Sequence, residues 1–184
     1  MKKLLSIAIV TVIASLAVNQ SNAQQSTTTA STIAKITLSD FITAENGAQS
    51  TAGETPGSAS VDFSYPNAAS YTTDQVKSVP GHLKLTATKT FTVNVKAAGS
   101  DFEKGSDKIP VSVLDITPTA PADGGTVSTV TLSNANQPIL TGAKSGIKTI
   151  DVNYKISAAK AQASILGKPS GAYQQTVIYT FSQQ

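Results

Sequence analysis

The sequence contains no cysteine, no tryptophan and no arginine among its 184 residues, and it contains a single histidine. The absence of cysteine excludes disulfide bonds, thiol catalysis, cysteine metal sites and a lipidated N-terminal cysteine. A domain of this size folds without disulfides only if a packed apolar core supplies its stability.

Arginine is the residue whose fork-shaped guanidinium most often binds phosphates and base edges. All of the basic residues here are lysines, and they form no cluster along the chain. We therefore expect no nucleic acid among the partners of this protein.

The one histidine, His82, limits the catalytic sites that the chain can build. A catalytic triad or a histidine metal site would have to include it, and no Gly-x-Ser-x-Gly sequence accompanies it. Its place on the polar side of an alternating strand predicts a residue that faces solvent. We predict a protein that is not an enzyme, with no catalytic, cofactor-binding or metal-binding residues and no cofactor.

Three acidic residues crowd one predicted loop between residues 99 and 108: Asp101, Glu103 and Asp107. Calcium binds loop carboxylates of this kind. Lys104 and Lys108 lie among them, however, and the spacing is not that of an EF-hand, so a solvated, charge-balanced loop is favoured. Whether this loop binds calcium stays open at this point.

The first 23 residues have the pattern of a secretory signal peptide. Lys2 and Lys3 give a basic start, Leu4–Val18 is an apolar run, and Ser21-Asn22-Ala23 places small residues at the cleavage site. The run is too short for a preferred assignment as a membrane anchor. We expect cleavage before Gln24 and a secreted protein, in the periplasm, at the cell surface or outside the cell.

The mature chain is then expected to be residues 24–184, with a formal charge of +1 once the two lysines have left. Residues 24–31 are polar and rich in Thr and Ser, which predicts a flexible extension. Residues 32–184 are predicted to form a single domain. No second apolar run approaches the length of a membrane span, so the mature chain is expected to have none.

Alternation of apolar and polar residues predicts an all-β protein, an Ig-like antiparallel β-sandwich of about eight strands with one short helical turn at most, near residues 157–166. The first strand is predicted at Thr32–Ile42 and is followed by a long Gly-rich loop to Ser60. A short strand is predicted at Val61–Tyr65, and Pro80-Gly81 is a turn signal.

The longest alternation places its apolar residues at odd positions: Leu83, Leu85, Ala87, Phe91, Val93 and Val95. This parity survives across Thr88 and Lys89, which favours one long strand bent at Lys89 over a two-residue hairpin. The alternation of Gly171–Phe181 predicts a terminal strand in the core, with large residues on one side.

The segment Gly171–Phe181, a glycine followed by an aromatic residue and an alternating strand, resembles the end of several bacterial secreted Ig-like sandwiches. These are the chaperone–usher pilin subunits, the spore-coat-U-like proteins and the WxL group of surface proteins. Pilin-like subunits have a glycine near the fourteenth position from the end, which Gly171 holds here, and the stretch from His82 to Lys96 is similar to their central strand. The resemblance covers about half of the mature chain. The chain departs from it by lacking the cysteine pair and the tryptophan, and by having Gln183 where pilins have an aromatic residue.

The resemblance implies a role for the segment Gln24–Leu38, which would add as a strand to the sheet of a neighbouring subunit. The alternative is that it pairs within its own domain, as first strands usually do. We therefore expect a non-enzymatic secreted structural or adhesive protein of the cell surface, whose partners are itself or other surface subunits.

The second hypothesis is a cell-envelope module that binds peptidoglycan or another glycan. Five tyrosines are the candidates for a sugar-stacking face: Tyr65, Tyr71, Tyr154, Tyr173 and Tyr179. The last three fall on the core side of their strands, which favours packing in the core with the hydroxyl groups at the sheet margin.

Overall fold

The computed structural model describes residues 35–46 and 60–184. The predicted signal peptide, the predicted extension at residues 24–31 and most of the Gly-rich loop lie outside the described residues. The contacts of the chain divide it into two units, before and after the bond between Leu38 and Ser39. In the first unit, residues 35–38 have no regular secondary structure, and the side chains of Ile36 and Leu38 are 84% and 89% exposed.

Antiparallel strands are the main regular structure of the second unit, as the alternation predicts. In the described residues the strands are β1 (Ile42–Asn46), β2 (Gln75–Ala87), β3 (Phe91–Ala97), β4 (Asp101–Lys104), β5 (Asp107–Pro110), β6 (Asp115–Pro118), β7 (Thr126–Val127), β8 (Val130–Thr131), β9 (Gln137–Ala143), β10 (Gly146–Ile156) and β11 (Val177–Gln183). The first strand therefore begins at Ile42, and the prediction of a strand from Thr32 is wrong over residues 35–41.

Two short helices accompany the strands, α1 (Ala68–Thr72) and α2 (Ala158–Ser164), together with a 3-10 turn at Val111–Val113. Helix α2 lies in the stretch where a helical turn was predicted. Helix α1 was missed because its start depends on a local capping box between Asn67 and Ser70 rather than on an apolar period. Neither helix in the described part of the chain is long and apolar enough to cross a membrane.

The strands form two main sheets and a separate hairpin. The five-stranded sheet has the order β1-β2-β10-β6-β8, the four-stranded sheet has the order β11-β3-β9-β7, and β4 pairs with β5. A single cluster of buried apolar residues draws on both main sheets. The all-β sandwich is therefore confirmed, with more and shorter strands than the eight expected.

The long alternation supplies core residues to both sheets. Its odd-numbered apolar residues are at most 3% exposed, from Leu83 through Phe91 to Val95. The parity is as predicted, but the stretch is not one strand: β2 ends at Ala87 in one sheet, and β3 begins at Phe91 in the other. Residues 88–90 are the corner at which the chain passes between the sheets, a usual device for closing a sandwich.

The pair Pro80-Gly81 lies inside β2 rather than between strands, so its assignment as a connecting turn is wrong. Val79 is opposite Val152 and Leu83 is opposite Ile150, so three residues of β2 face the single residue Asp151. Gly81 has φ +60°, and its N–H donates to Asp151 Oδ1 at 2.7 Å. This is a β-bulge, in which a glycine takes the left-handed conformation that other residues disfavour.

The terminal strand β11 is the outermost strand of its sheet and pairs with β3. It begins at Val177, six residues later than predicted, and it lies at the edge of its sheet. The predicted parity holds, because Val177, Tyr179 and Phe181 are partly buried against the core. Gly171 precedes it with φ +136°, where a Cβ atom would lie 2.7 Å from Lys104 Cδ.

Replacement of Gly81 by alanine should lower the free energy of unfolding by about 1–2 kcal/mol, because an L residue is strained at positive φ. The added Cβ atom would also lie 3.3 Å from Thr149 Cγ2. The measurement is chemical denaturation. Gly105→Ala is the matched control, since Gly105 has φ +61° with nothing within 4 Å of its Cβ position. A loss no greater than that of the control would show that contact with Thr149 adds nothing.

Candidate functional site

A cleft of about 560 Å³ opens at the margin of the two main sheets, on the side where β11 is outermost. Three of its polar ring-bearing residues come from three different strands: His82 from β2, Tyr154 from β10 and Tyr179 from β11. Phe102 of the β4–β5 hairpin and residues 60–63 complete much of the wall. The cleft therefore joins parts of the chain that lie far apart in sequence.

His82 is buried in this wall, with only 5% of its surface exposed. The prediction that it faces solvent is wrong, because the bulge at Pro80-Gly81 interrupts the alternation just before it. His82 and Leu83 are consequently both buried although they are neighbours in sequence.

The three ring-bearing side chains form a hydrogen-bonded row. His82 Nε2 lies 2.8 Å from Tyr154 Oη, and Tyr154 Oη lies 2.5 Å from Tyr179 Oη. The imidazole stands edge-on to both phenol rings, with centroids 5.6 Å away in each case. Packing and hydrogen bonding together fix the orientation of the three rings.

All three groups are neutral at pH 7. Burial lowers the pKa of His82 below its usual 6.5. Burial raises the pKa of Tyr154 to about 12, against the opposing effect of the hydrogen bond that it shares with Tyr179. The pKa of Tyr179 is raised further, first by burial and then by the neighbouring Tyr154. The row therefore acts through neutral hydrogen bonds rather than through charge.

The neutral histidine determines the direction of these hydrogen bonds. His82 Nδ1 is buried and has no hydrogen-bond partner among the described residues. A buried N–H without an acceptor is rarer and more costly than a bare acceptor atom. We therefore place the proton on Nε2, which donates to Tyr154, whose hydroxyl in turn donates to Tyr179.

An extended segment, residues 60–66, forms the wall between this cleft and a second one of about 460 Å³. The side chains of Val61, Phe63 and Tyr65 are half-buried against the core, which matches the predicted alternation. The segment is not a strand, however, since no backbone ladder is formed along it in the described residues. A side-chain hydrogen bond joins residues 60–66 to β2: Gln75 Nε2 donates to the carbonyl of Ser64.

The five tyrosines line the two clefts. Tyr154, Tyr173 and Tyr179 line the first, and Tyr173 also lines the second, where the tilted rings of Tyr65 and Tyr71 have centroids 4.8 Å apart. The expectation that the first three pack toward the core is confirmed, and Tyr154 and Tyr179 also place their hydroxyl groups together at the sheet margin.

The acidic segment predicted as a loop is the β4–β5 hairpin, in which carboxylates and lysines alternate across the strands. Lys108 Nζ lies 3.2 Å from Glu103 and 4.0 Å from Asp101, and Lys104 Nζ lies 3.5 Å from Asp107. The segment is charge-balanced as predicted. No cluster of three or more potential metal ligands occurs within residues 35–46 and 60–184.

The outer edge of β11 is the second feature of functional interest. No strand pairs with that edge in the described part of the chain. No lysine, aspartate or glutamate occurs after Lys168, so the edge and its flanking residues carry no charged side chain. Sequence parity found the inward face of this strand, but only the sheet order shows that its edge is free.

No protein-family model matches the sequence, and no curated protein matches it.

Protonation of His82 should destabilise the fold as the pH falls. The unfolded chain binds this proton near pH 6.5, whereas burial lowers the pKa in the folded protein. Neutral His82 therefore makes its full contribution to the free energy of unfolding above pH 6.5. Below pH 6.5 this contribution falls, by at most about 1.4 kcal/mol per pH unit.

Thermal or urea unfolding between about pH 5 and pH 7 measures this effect, since His82 is the one side chain expected to titrate there. His82→Gln is the control and should flatten the profile. If stability depended on pH equally in both proteins, the assignment of this pH dependence to His82 would be wrong.

Proposed function

We propose that this chain is a secreted, non-enzymatic structural or adhesive protein of the cell surface, which assembles through strand edges. The observation that carries the proposal is the uncharged edge of β11, with which no strand pairs within residues 35–46 and 60–184. The signal-peptide pattern at residues 1–23 supports the location. Hydrogen bonding of His82 to a tyrosine, rather than to a nucleophile and a carboxylate, favours a role without catalysis.

A free edge of this kind is unusual because it invites other strands to pair with it. Proteins usually protect their outer strands with charged residues, proline, bulges or short length. The outer strands β7 and β8 have two residues each, and β1 contains Glu45. Strand β11 has seven residues with no charge, no proline and no glycine, so it has none of these protections.

The N-terminal segment of another copy is the partner that the sequence offers. Within residues 24–38 the alternation includes Ile36 and Leu38, which are almost fully exposed in their own unit. Strand addition would supply backbone hydrogen bonds to β11 and would bury alternate side chains. Pairing of this segment within its own chain is the alternative, and the deletion below gives no change in assembly if that is correct.

A second candidate function is a cell-envelope module that binds peptidoglycan or another glycan. The specific observation in its favour is the cleft, which Tyr154, Tyr173 and Tyr179 line. Aromatic rings provide apolar faces with a polar hydroxyl group at one end, which suits sugars. Retention of the purified protein on insoluble peptidoglycan or chitin tests this candidate.

Charge placed on β11 should weaken assembly. We expect the mature chain from Gln24 to form oligomers or filaments, and the double variant Ile178→Lys with Thr180→Lys to shift them toward monomer, because lysine on an edge opposes strand pairing. Light scattering after size exclusion and electron microscopy measure the outcome. The matched control is Ile147→Lys, since Ile147 is an exposed isoleucine on β10 of the other sheet.

Deletion of residues 24–38 should abolish assembly in the same assay if this segment is the strand donor. A mature protein that is strictly monomeric, and unaffected by the deletion, would refute assembly through β11. Equal assembly of the β11 variant and the Ile147→Lys control would also refute it.

A further inference from the structure

With the protons placed as above, the row from His82 to Tyr179 ends at a hydrogen-bond donor that has no acceptor within the described residues. With Nε2–H donating to Tyr154, and Tyr154 donating to Tyr179, the hydroxyl proton of Tyr179 remains free. No second partner of this hydroxyl group is recorded in the described residues, and Tyr179 lines the cleft. The row therefore offers one oriented donor to a ligand in the cleft.

The opposite direction of hydrogen bonding is disfavoured. It would require Tyr154 to donate to Nε2, which would leave an N–H at the buried and unpartnered Nδ1. Such a group costs more than the bare lone pair that the first arrangement leaves there. A ligand that meets Tyr179 must accordingly provide an acceptor oxygen or nitrogen.

The charge of the lining excludes an anionic ligand as the best fit. No lysine is among the residues that line the cleft, whereas Asp62 is. The Oδ1 atom of Asp62 accepts a hydrogen bond from the Ser60 hydroxyl at 2.8 Å. This hydrogen bond uses only part of the carboxylate's capacity to accept hydrogen bonds. A carboxylate or phosphate ligand would meet this negative charge without a cation to pair with.

The other walls combine apolar faces with polar groups. Phe63, Phe102 and Tyr173 supply rings, and the side chain of Gln174 makes no hydrogen bond within the described residues. Gln175 is already committed to the carbonyl of Asp101 and to the N–H of Thr176. The volume lies within the usual range for a small-molecule site, roughly 300–1,000 Å³.

A neutral saccharide fits these features together. Its hydroxyl oxygens accept from a donor such as Tyr179, its hydroxyl protons are donated to a carboxylate such as Asp62, and its C–H faces pack on aromatic rings. We infer that the cleft is a binding site for a neutral saccharide, oriented by a hydrogen bond from Tyr179 to a sugar oxygen. This inference rests on the second candidate function and gives it a location and a ligand class.

Tyrosine fluorescence provides the test, because the sequence has no tryptophan to mask it. The mature protein is titrated with chitotetraose and with cellotetraose, both neutral, and with tetragalacturonate as the anionic comparison. We expect at least one of the neutral probes to change the emission saturably, and the anionic probe to bind more weakly. Tyr179→Phe should weaken binding of that probe by about tenfold, since it removes one hydrogen bond and keeps the ring.

Tyr71→Phe is the matched control, because Tyr71 lines the second cleft and not the first. Thermal unfolding of each variant confirms that it is folded. Equal binding by Tyr179→Phe and Tyr71→Phe would overturn the inference, as would binding of the anionic probe alone or no binding of either neutral probe at millimolar concentrations. Retention on insoluble chitin or peptidoglycan without binding in the cleft would overturn the inference while leaving the second candidate function standing.

Discussion

One run of alternating residues, from Leu83 to Val95, holds the two sheets of this domain together. Because its odd-numbered side chains point inward on both sides of the corner at residues 88–90, the same run supplies the core of both layers. The ends of both sheets are fixed near this corner: the N–H of Phe41 donates to Thr88, and the N–H of Gln184 donates to the carbonyl of Thr90. Because the chain has no disulfides, apolar packing at this corner, rather than a covalent bond, joins the two sheets.

The bulge in β2 marks the place where the alternation of the sequence no longer predicts which side chains are buried. A period of two identifies the buried positions wherever a strand is regular, which is why the parity of residues 83–95 and of β11 was correct. At Pro80-Gly81 the local signal for a turn is genuine, since Gly81 does adopt a left-handed conformation. The partner that turns it into a bulge is Asp151, 70 residues away. No local pattern contains that information, and the burial of His82 could not be predicted without it.

The candidate site could not be predicted from the sequence either, because it too depends on contacts between residues far apart in the chain. Tyr154 and Tyr179 were recognised as core-facing residues, but their contact with His82 depends on the order of strands and on the bulge. The free edge of β11 is also a property of sheet order, because a strand in the middle of a sheet and one at its margin have the same alternation. Sequence alone predicts the class of fold. It also shows directly that no charged side chain follows Lys168. The pairing of strands then determined which of these features reaches solvent and which lines the cleft.

The pairing of β11 with β3 also has a consequence for how the chain folds. Val177 pairs with Ala97, and Gln183 pairs with Phe91, so β3 is synthesised some 80 residues or more before its neighbour exists. Contacts of such large sequence separation form slowly, because the long intervening loop must close first. Until then β3 presents Phe91, Val93 and Val95 beside an unpaired backbone edge, which is the situation in which chains aggregate. Between the synthesis of these two strands, the nascent protein is therefore exposed to misassembly.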